Sequence, residues 1–124
     1  MRIFKTRLFA KFARRERIPD ASLSEAIVRA RQGLVDADLG GGVIKQRVAR
    51  QGQGRSGGYR TLIAYRFGDF ALFLFGFAKN DRDNIDDREL DDLREAAASW
   101  LAADEKLIGQ AVEKGLLVEV QDDA

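Results

Sequence analysis

The sequence predicts an α+β fold in one domain spanning residues 1–124, with two N-terminal helices, a small, mainly antiparallel sheet of three to five strands, and C-terminal helices. Apolar residues recur at helical spacing in residues 1–33 and again in residues 84–115. Between these segments, residues 43–79 hold β-rich runs separated by glycines. Residues 116–124 then predict a closing strand or a tail docked on an edge.

The first helix is predicted over about residues 6–15. Phe4, Leu8 and Phe12 recur at helical spacing while basic residues occupy the other faces, which is the pattern of an amphipathic helix. Such a helix most simply buries its apolar face in the core. Binding of this basic helix to a membrane surface is the weaker alternative.

A second helix is predicted to begin at Ser22 and to end at Gly33. Ser22 and Glu25 have the spacing of a capping box, in which each side chain accepts a hydrogen bond from the backbone of the other residue. The glycine-rich residues 38–42 that follow predict a flexible connection between the helices and the sheet.

A basic strand is predicted over residues 43–49. Because side chains alternate between the two faces of a strand, Lys45 and Arg47 share a face. The run that starts at Tyr59 places Arg60 on the neighbouring strand, beside that pair. Three cations that project from rigid elements indicate a polyanionic partner.

Residues 59–67 and 70–78 predict a β-hairpin, because Gly68 and Asp69 alone separate these two β-rich runs. Gly68 suits the positive φ that the first central residue of such a turn requires. Both faces of the second run are apolar, which predicts a central strand. Gly76 within this run indicates a bulge or a close approach to the backbone.

The basic, glycine-rich loop at residues 50–58 is only superficially like a phosphate-binding P-loop. It lacks the Gly-Lys-Ser/Thr ending, and a strand rather than a helix follows it, so a nucleotide-binding P-loop is excluded. We interpret Arg50 and Arg55 as cations that close over an RNA or DNA backbone, and Tyr59 and Tyr65 as aromatic faces for unpaired bases. A plain hairpin loop without a ligand is the alternative.

Charge is divided unevenly along the chain, although the formal total is only +1. Residues 1–66 carry 15 Lys and Arg against 5 Asp and Glu, a net of +10, whereas residues 67–124 carry 6 against 15, a net of −9. This asymmetry indicates a basic surface suited to nucleic acid or to an acidic protein. Solvated surface charge without a partner is the alternative.

Composition excludes several chemistries. The chain has no Cys and no His, so disulfides, thiol catalysis and imidazole chemistry are impossible. No metal or other cofactor is predicted, because the clustered acids lie where a helix begins and carboxylates favour the helix dipole there. These acids are Asp86, Asp87, Glu89, Asp91 and Asp92. The longest apolar run, near residues 70–78, is too short to span a membrane, and we expect a soluble cytoplasmic protein.

Two long runs of the sequence carry a family resemblance. They are GGGVIKQRVAR with GGYRT, within residues 40–61, and FAKNDRDNID at residues 77–86. In this order they resemble the RelE/ParE superfamily of bacterial toxins, and most closely the RelE-type, HigB-like branch of type II toxin–antitoxin modules. The resemblance extends from about residue 4 to residue 120. It implies the RelE-like fold, inhibition of growth, and a cognate antitoxin as a partner.

The resemblance also implies a reaction. Nuclease members of the family cleave mRNA, typically on the ribosome and without metal, by attack of a ribose 2′-hydroxyl on the adjacent phosphate. Lys45 and Arg47 match the basic strand positions of the family, Arg60 matches the arginine after Gly-Tyr that clamps the phosphate, and Lys79 matches the basic position after the last central strand. These four are the predicted catalytic residues.

The sequence departs from the family pattern at two positions. Asn80 stands where RelE-type enzymes commonly have a second arginine, and Asp86 stands at the position of a later tyrosine. The general acid and base therefore stay open, with Lys45 and three other residues as candidates: Arg82, Tyr59 and Arg55. The predicted RNA-binding residues are Arg50, Arg55, Tyr59, Tyr65, Arg66, Asn80 and Arg82.

Two other functions compete with mRNA cleavage. One is that of a ParE-like toxin that inhibits gyrase, which needs no catalytic cations. The other is that of a degenerate toxin that binds nucleic acid without cleaving it.

Overall fold

The structure, a computed structural model, describes residues 1–50, 54–82 and 84–121, and it describes residues 54–56 by their backbone alone. Within these ranges the chain forms six strands and four helices. In chain order they are β1 (Arg2–Thr6), α1 (Arg7–Glu16), α2 (Asp20–Arg31), β2 (Ala37–Gly40), β3 (Val43–Arg50), β4 (Gly54–Arg66), β5 (Phe70–Ala78), α3 (Asp87–Ala102), α4 (Glu105–Glu113) and β6 (Leu117–Glu119).

The strands form one mixed sheet in the order β2-β3-β4-β5-β1-β6. Neighbouring strands are antiparallel except β1 and β5, which run parallel, with Phe4 paired to Leu72. The predicted arrangement of two helices followed by a small sheet of three to five strands is therefore wrong, since the chain starts with a strand and the sheet has six. β1 inserts between β5 and β6, where Ile3 and Phe4 are buried on opposite faces.

Two boundaries near the N-terminus also differ from the sequence prediction. The second helix begins at Asp20, two residues earlier than Ser22, and Pro19 at its N-cap makes no side-chain cap, so no capping box forms there. Proline suits a helix start because its missing N–H would have no partner there. The stretch at residues 38–42 is not simply a flexible connection, because its first part belongs to the edge strand β2, which pairs with β3.

The sheet has a helical layer on each face. Helices α1 and α2 cover one face, where Phe9, Leu23 and Ile27 pack on the inward side chains of β3 to β5. Helices α3 and α4 cover the other face, where Ala97 and Ile108 join a second core. The sheet is thus buried on both faces over its centre, and only its ends and edges lie open.

The predicted β4–β5 hairpin is confirmed, and β5 lies centrally between β4 and β1. Gly68 has the expected positive φ, 85°, but it is the second central residue of the turn rather than the first, because β4 ends at Arg66 and the Asp69 N–H donates to the Arg66 carbonyl at 3.2 Å. Gly76 marks a close approach, because a Cβ atom there would lie 2.6 Å from Phe12 Cε2 and 2.9 Å from Phe9 Cε1. The rings of α1 therefore rest directly on the backbone of β5.

Helix α3 begins with a full capping box. The Asp86 carboxylate accepts a hydrogen bond from the Glu89 backbone N–H at 2.8 Å, and the Glu89 carboxylate accepts one from the Asp86 N–H at 3.0 Å. The predicted helices near residues 84–115 and the closing strand after them are confirmed as α3, α4 and β6. Within the described residues, no helix combines the length and apolar character needed to cross a membrane.

Candidate functional site

Lys45, Arg47 and Arg60, which we call the basic strand face, project from β3 and β4 on the side that α3 covers farther along. Arg47 and Arg60 are directly paired across the two strands, and Lys45 is paired with Leu62, which lies in the core beneath α3. Arg47 is exposed, while Lys45 and Arg60 are partly buried. The structure thus brings together the three strand cations that the sequence predicted.

The charges of the basic strand face are uncompensated within the described residues. None of the ion pairs in that part of the chain involves Lys45, Arg47 or Arg60. The Nη1 atom of Arg60 is buried and has no hydrogen-bond partner among the residues that the structure describes. Because a buried donor without a partner is costly, this atom favours an anion beside it.

Arg82 and Phe77 border the basic strand face on the β5 side. Phe77 is paired with Arg60 across β4 and β5, and the Arg82 guanidinium lies 5.5 Å from the centre of the Phe77 ring. Arg82 also forms an ion pair with Glu89. Hydrogen bonds from Arg82 lower the pKa of the Glu89 carboxyl, and the same bonds raise the pKa of Arg82.

Lys79 and Asn80 follow β5 at the same end of the sheet. Both are exposed, and the Lys79 backbone N–H donates to the Gly58 carbonyl at 3.3 Å, close to Arg60 in sequence. The two side chains therefore border the same end as the basic strand face.

Tyr59 lies on the opposite face of the sheet. It is 2 % exposed, its ring packs edge-on against Phe12, and its hydroxyl donates to the Glu16 carbonyl at 3.3 Å. Burial raises the pKa of the Tyr59 hydroxyl. Arg50 covers the ring, with its guanidinium 5.8 Å from the ring centre. Tyr59 is thus a core residue with no open face on which an unpaired base can stack.

Tyr65 and Arg66 lie at the far end of β4, away from the basic strand face. Arg66 pairs with Asp69 at 2.8 Å and donates to the Leu101 carbonyl at 2.7 Å, so it fastens the hairpin to α3. Tyr65 packs against the α1–α2 core, and burial raises the pKa of its hydroxyl. The structure does not bring either residue to the predicted site.

Arg55 and Asp86 are two further residues to which the sequence drew attention. The side chain of Arg55 and residues 51–53 lie outside the described residues. Asp86, at the position of the family's later tyrosine, caps α3. Phe77 and Glu89 were not predicted as site residues; Glu89 was assigned only to a helix start, although residues 86 and 89 have the capping-box spacing that fixes its carboxylate.

The described residues contain no group of three or more carboxylates placed to hold a metal ion. The described site therefore offers cations and hydrogen-bond donors as its chemical groups. Such an arrangement suits a phosphate group and the charge that develops on it during a transfer reaction.

A family model described as the RelE toxin of the RelE / RelB toxin–antitoxin system matches residues 1–120. The chain belongs to the RelE toxin family. Comparisons with curated proteins and with solved structures gave no match. Membership makes this RelE-family protein the toxin of a toxin–antitoxin system, with an antitoxin as its partner.

Proposed function

We propose that this RelE-family toxin is a metal-independent mRNA endoribonuclease that acts on mRNA held by the ribosome. The observation that carries the proposal is the direct pairing of Arg47 with Arg60, next to Lys45, with no ion pair to any of the three side chains among the described residues. Guanidinium groups bind phosphate oxygens in a bidentate manner, and two of them can hold one phosphate from two sides.

In the proposed reaction the ribose 2′-oxygen attacks the adjacent phosphorus. The new O2′–P bond forms and the P–O5′ bond breaks, which leaves a 2′,3′-cyclic phosphate and a 5′-hydroxyl. The 2′-hydroxyl loses one proton and the leaving 5′-oxygen gains one. Arg47 and Arg60 stabilise the negative charge on the pentacoordinate phosphate, and Lys45 orients the attacking hydroxyl or accepts its proton.

The exposure of Arg47 and of the side chains that border the basic strand face supports delivery by the ribosome. Arg47 is exposed, and Lys79 and Asn80 at the rim are exposed as well, so the RNA meets a sheet face rather than a closed cleft. A flat basic face attracts any phosphate backbone but positions none closely. The ribosome holds mRNA in a fixed path, which supplies the missing alignment.

The test is expression of the toxin without antitoxin, followed by mapping of mRNA ends. We expect growth to stop and new ends to appear within translated mRNA, with cyclic phosphate on the upstream fragment. Lys45→Met serves as the inactive variant, and Arg14→Met, on the exposed side of α1, serves as the control. Fragments with a 5′-phosphate would refute the proposed chemistry. Growth arrest with intact mRNA and damaged DNA would instead favour inhibition of gyrase.

A further inference from the structure

The guanidinium of Arg82 is held by three hydrogen bonds. Its Nε donates to the Asn84 carbonyl at 3.0 Å, and its Nη1 and Nη2 donate to the two carboxylate oxygens of Glu89 at 3.0 Å and 2.5 Å. A guanidinium has five N–H groups, so the contacts within the described residues leave two for another acceptor. Arg82 is therefore oriented and still able to bind an anion.

The Glu89 carboxylate, which accepts two of these hydrogen bonds, is itself held in place. One of its oxygens also accepts the backbone N–H of Asp86 in the capping box, so the carboxylate is locked to the first turn of α3. An arginine tied to a capped helix end loses little further side-chain freedom when it binds a ligand, whereas a free arginine loses more.

Arg82 is held next to the basic strand face. Its guanidinium stacks on Phe77, whose strand partner on β4 is Arg60. Arg60 and Phe77 project on the same face of neighbouring strands, because directly paired residues point to the same side of a sheet. The site therefore has an oriented fourth cation on its β5 side.

We propose that Glu89 is a positioning residue, which holds Arg82 in place as a fourth cation for the RNA phosphate bound by Arg47 and Arg60. This inference rests on the proposed function. It assigns Glu89 a role distinct from that of general base, because both carboxylate oxygens already accept hydrogen bonds from Arg82.

A role for Glu89 in neutralising the charge of Arg82 predicts a different result from a role in positioning it. If Glu89 merely neutralised Arg82, removal of its charge would strengthen RNA binding and leave cleavage unchanged or faster. If Glu89 positions Arg82, removal of its charge slows the chemical step even when RNA binding is kept. Glu89→Gln separates the two, since the amide oxygen of glutamine still accepts the Asp86 N–H and preserves the cap.

The experiment compares the wild-type protein with Glu89→Gln, Arg82→Ala and the double variant. Asp86→Asn is the matched control, because it also removes one negative charge from the same cap but keeps the hydrogen bonds from Arg82 to Asn84 and Glu89, and asparagine is an equally good N-cap. The measurements are kcat and KM for cleavage of mRNA on programmed ribosomes, and the affinity for an oligoribonucleotide with a 2′-deoxy residue at the scissile position. That probe lacks the nucleophile and reports binding alone.

We expect Glu89→Gln to lower kcat about 10²-fold, the scale of a reacting group misplaced by about 1 Å, with KM and probe affinity unchanged or tighter. Arg82→Ala should lose at least as much, and the double variant should lose no more than Arg82→Ala. Asp86→Asn should cleave at the wild-type rate. Wild-type kcat in Glu89→Gln, or losses that multiply in the double variant, would overturn the inference.

If the wild-type protein cleaves no RNA, only the proposed function is refuted. An NMR measurement on Arg82 then tests the inference by itself. The Nε–Hε NMR signal of Arg82 is then followed on addition of the 2′-deoxy probe. We expect a shift in the wild-type protein and a broadened, weakly responding signal in Glu89→Gln. An Arg82 signal that ignores the probe in the wild-type protein would reject the fourth cation.

Discussion

Arg47 on β3 and Arg60 on β4 are directly paired across two antiparallel strands. Like charges at such positions destabilise a sheet, because paired Cβ atoms lie only about 4.5–5.5 Å apart. Within the described ranges neither guanidinium takes part in an ion pair. The pair therefore repels in the free toxin and becomes favourable when an anion lies between the two groups.

Replacement of Arg60 should separate activity from stability. Arg60→Met removes a phosphate clamp and should lower mRNA cleavage on the order of 10²-fold or more, the usual effect of one lost donor to a developing oxyanion. The same change removes a buried Nη1 without a partner and a like-charge neighbour of Arg47, so the Tm should stay the same or rise. Cleavage on programmed ribosomes and thermal unfolding measure the two effects.

The control for Arg60 is Arg14→Met, which removes the same charge from an exposed position on α1. It should leave cleavage nearly unchanged. Equal losses in the two variants would mean that overall positive charge, rather than a site, determines activity.

Charge reversal at Arg47 should weaken binding of the antitoxin. An acidic antitoxin segment that covers the basic strand face would meet a like charge in Arg47→Glu, and the affinity should fall by about 10-fold or more at low salt. Calorimetric titration at several salt concentrations measures this, with Arg14→Glu as the control. An affinity for Arg47→Glu equal to the wild-type value would show that the antitoxin binds elsewhere.

Two glycines should respond to alanine in opposite ways. Gly76→Ala places a Cβ atom against the Phe9 and Phe12 rings, and it should lower the free energy of unfolding by about 1–3 kcal/mol through overpacking. Gly109→Ala in α4 meets no atom within 4 Å, and it should raise that free energy by roughly 0.5–1 kcal/mol because alanine favours a helix. Urea unfolding measures both; equal destabilisation would contradict the packing argument.

Stability should depend on pH through Asp20. Burial opposes ionisation of Asp20, but hydrogen bonds from Lys5 Nζ at 2.9 Å and from the Gln121 backbone N–H at 2.8 Å outweigh it, so its pKa lies below the ordinary value. The carboxylate therefore stabilises the fold at any pH above about 3.9, the unfolded value, and this contribution is lost as the pH falls through the lower folded pKa.

Asp20→Asn tests this linkage. The wild-type protein should be more stable than the variant near pH 7, and the difference should shrink as the pH falls below about 3.9. Asp92→Asn, at an exposed position of α3, should show little difference at any pH. A difference between wild type and Asp20→Asn that stays constant down to about pH 2.5 would assign the effect to packing rather than to charge.

The parts of the fold that local pattern determines could be predicted from the sequence. The alternation of polar and apolar residues placed Lys45 and Arg47 on one face, and the Gly68 turn fixed the hairpin. The strand β1 could not be predicted, because its partners lie about 70 and 115 positions away. Phe4 also continues the helical spacing of α1, so the local pattern pointed to the wrong element.

In the candidate site, too, some features follow from the local sequence and others depend on elements that are distant in the chain. Alternation assigns Tyr59 and Arg60 to opposite faces, but only the position of α1 decides that the tyrosine side is covered. The pairing of Arg82 with Glu89 depends on where α3 starts relative to β5. Propensity alone also missed β2, because Asp38 and Gly40 are poor strand formers that pairing with β3 holds in place.

The position of β1 also sets when the sheet of a newly made chain can be completed. The ribosome makes β1 before the other strands of the described sheet, yet its neighbours in that sheet are β5 and β6, the latter formed by Leu117–Glu119. Ile3 and Phe4 therefore lack their neighbouring strands until nearly all of the described chain has been synthesised. Forming contacts between such distant parts of the chain is slow. The sheet that carries Arg47 and Arg60 is therefore completed only after β6 has been made.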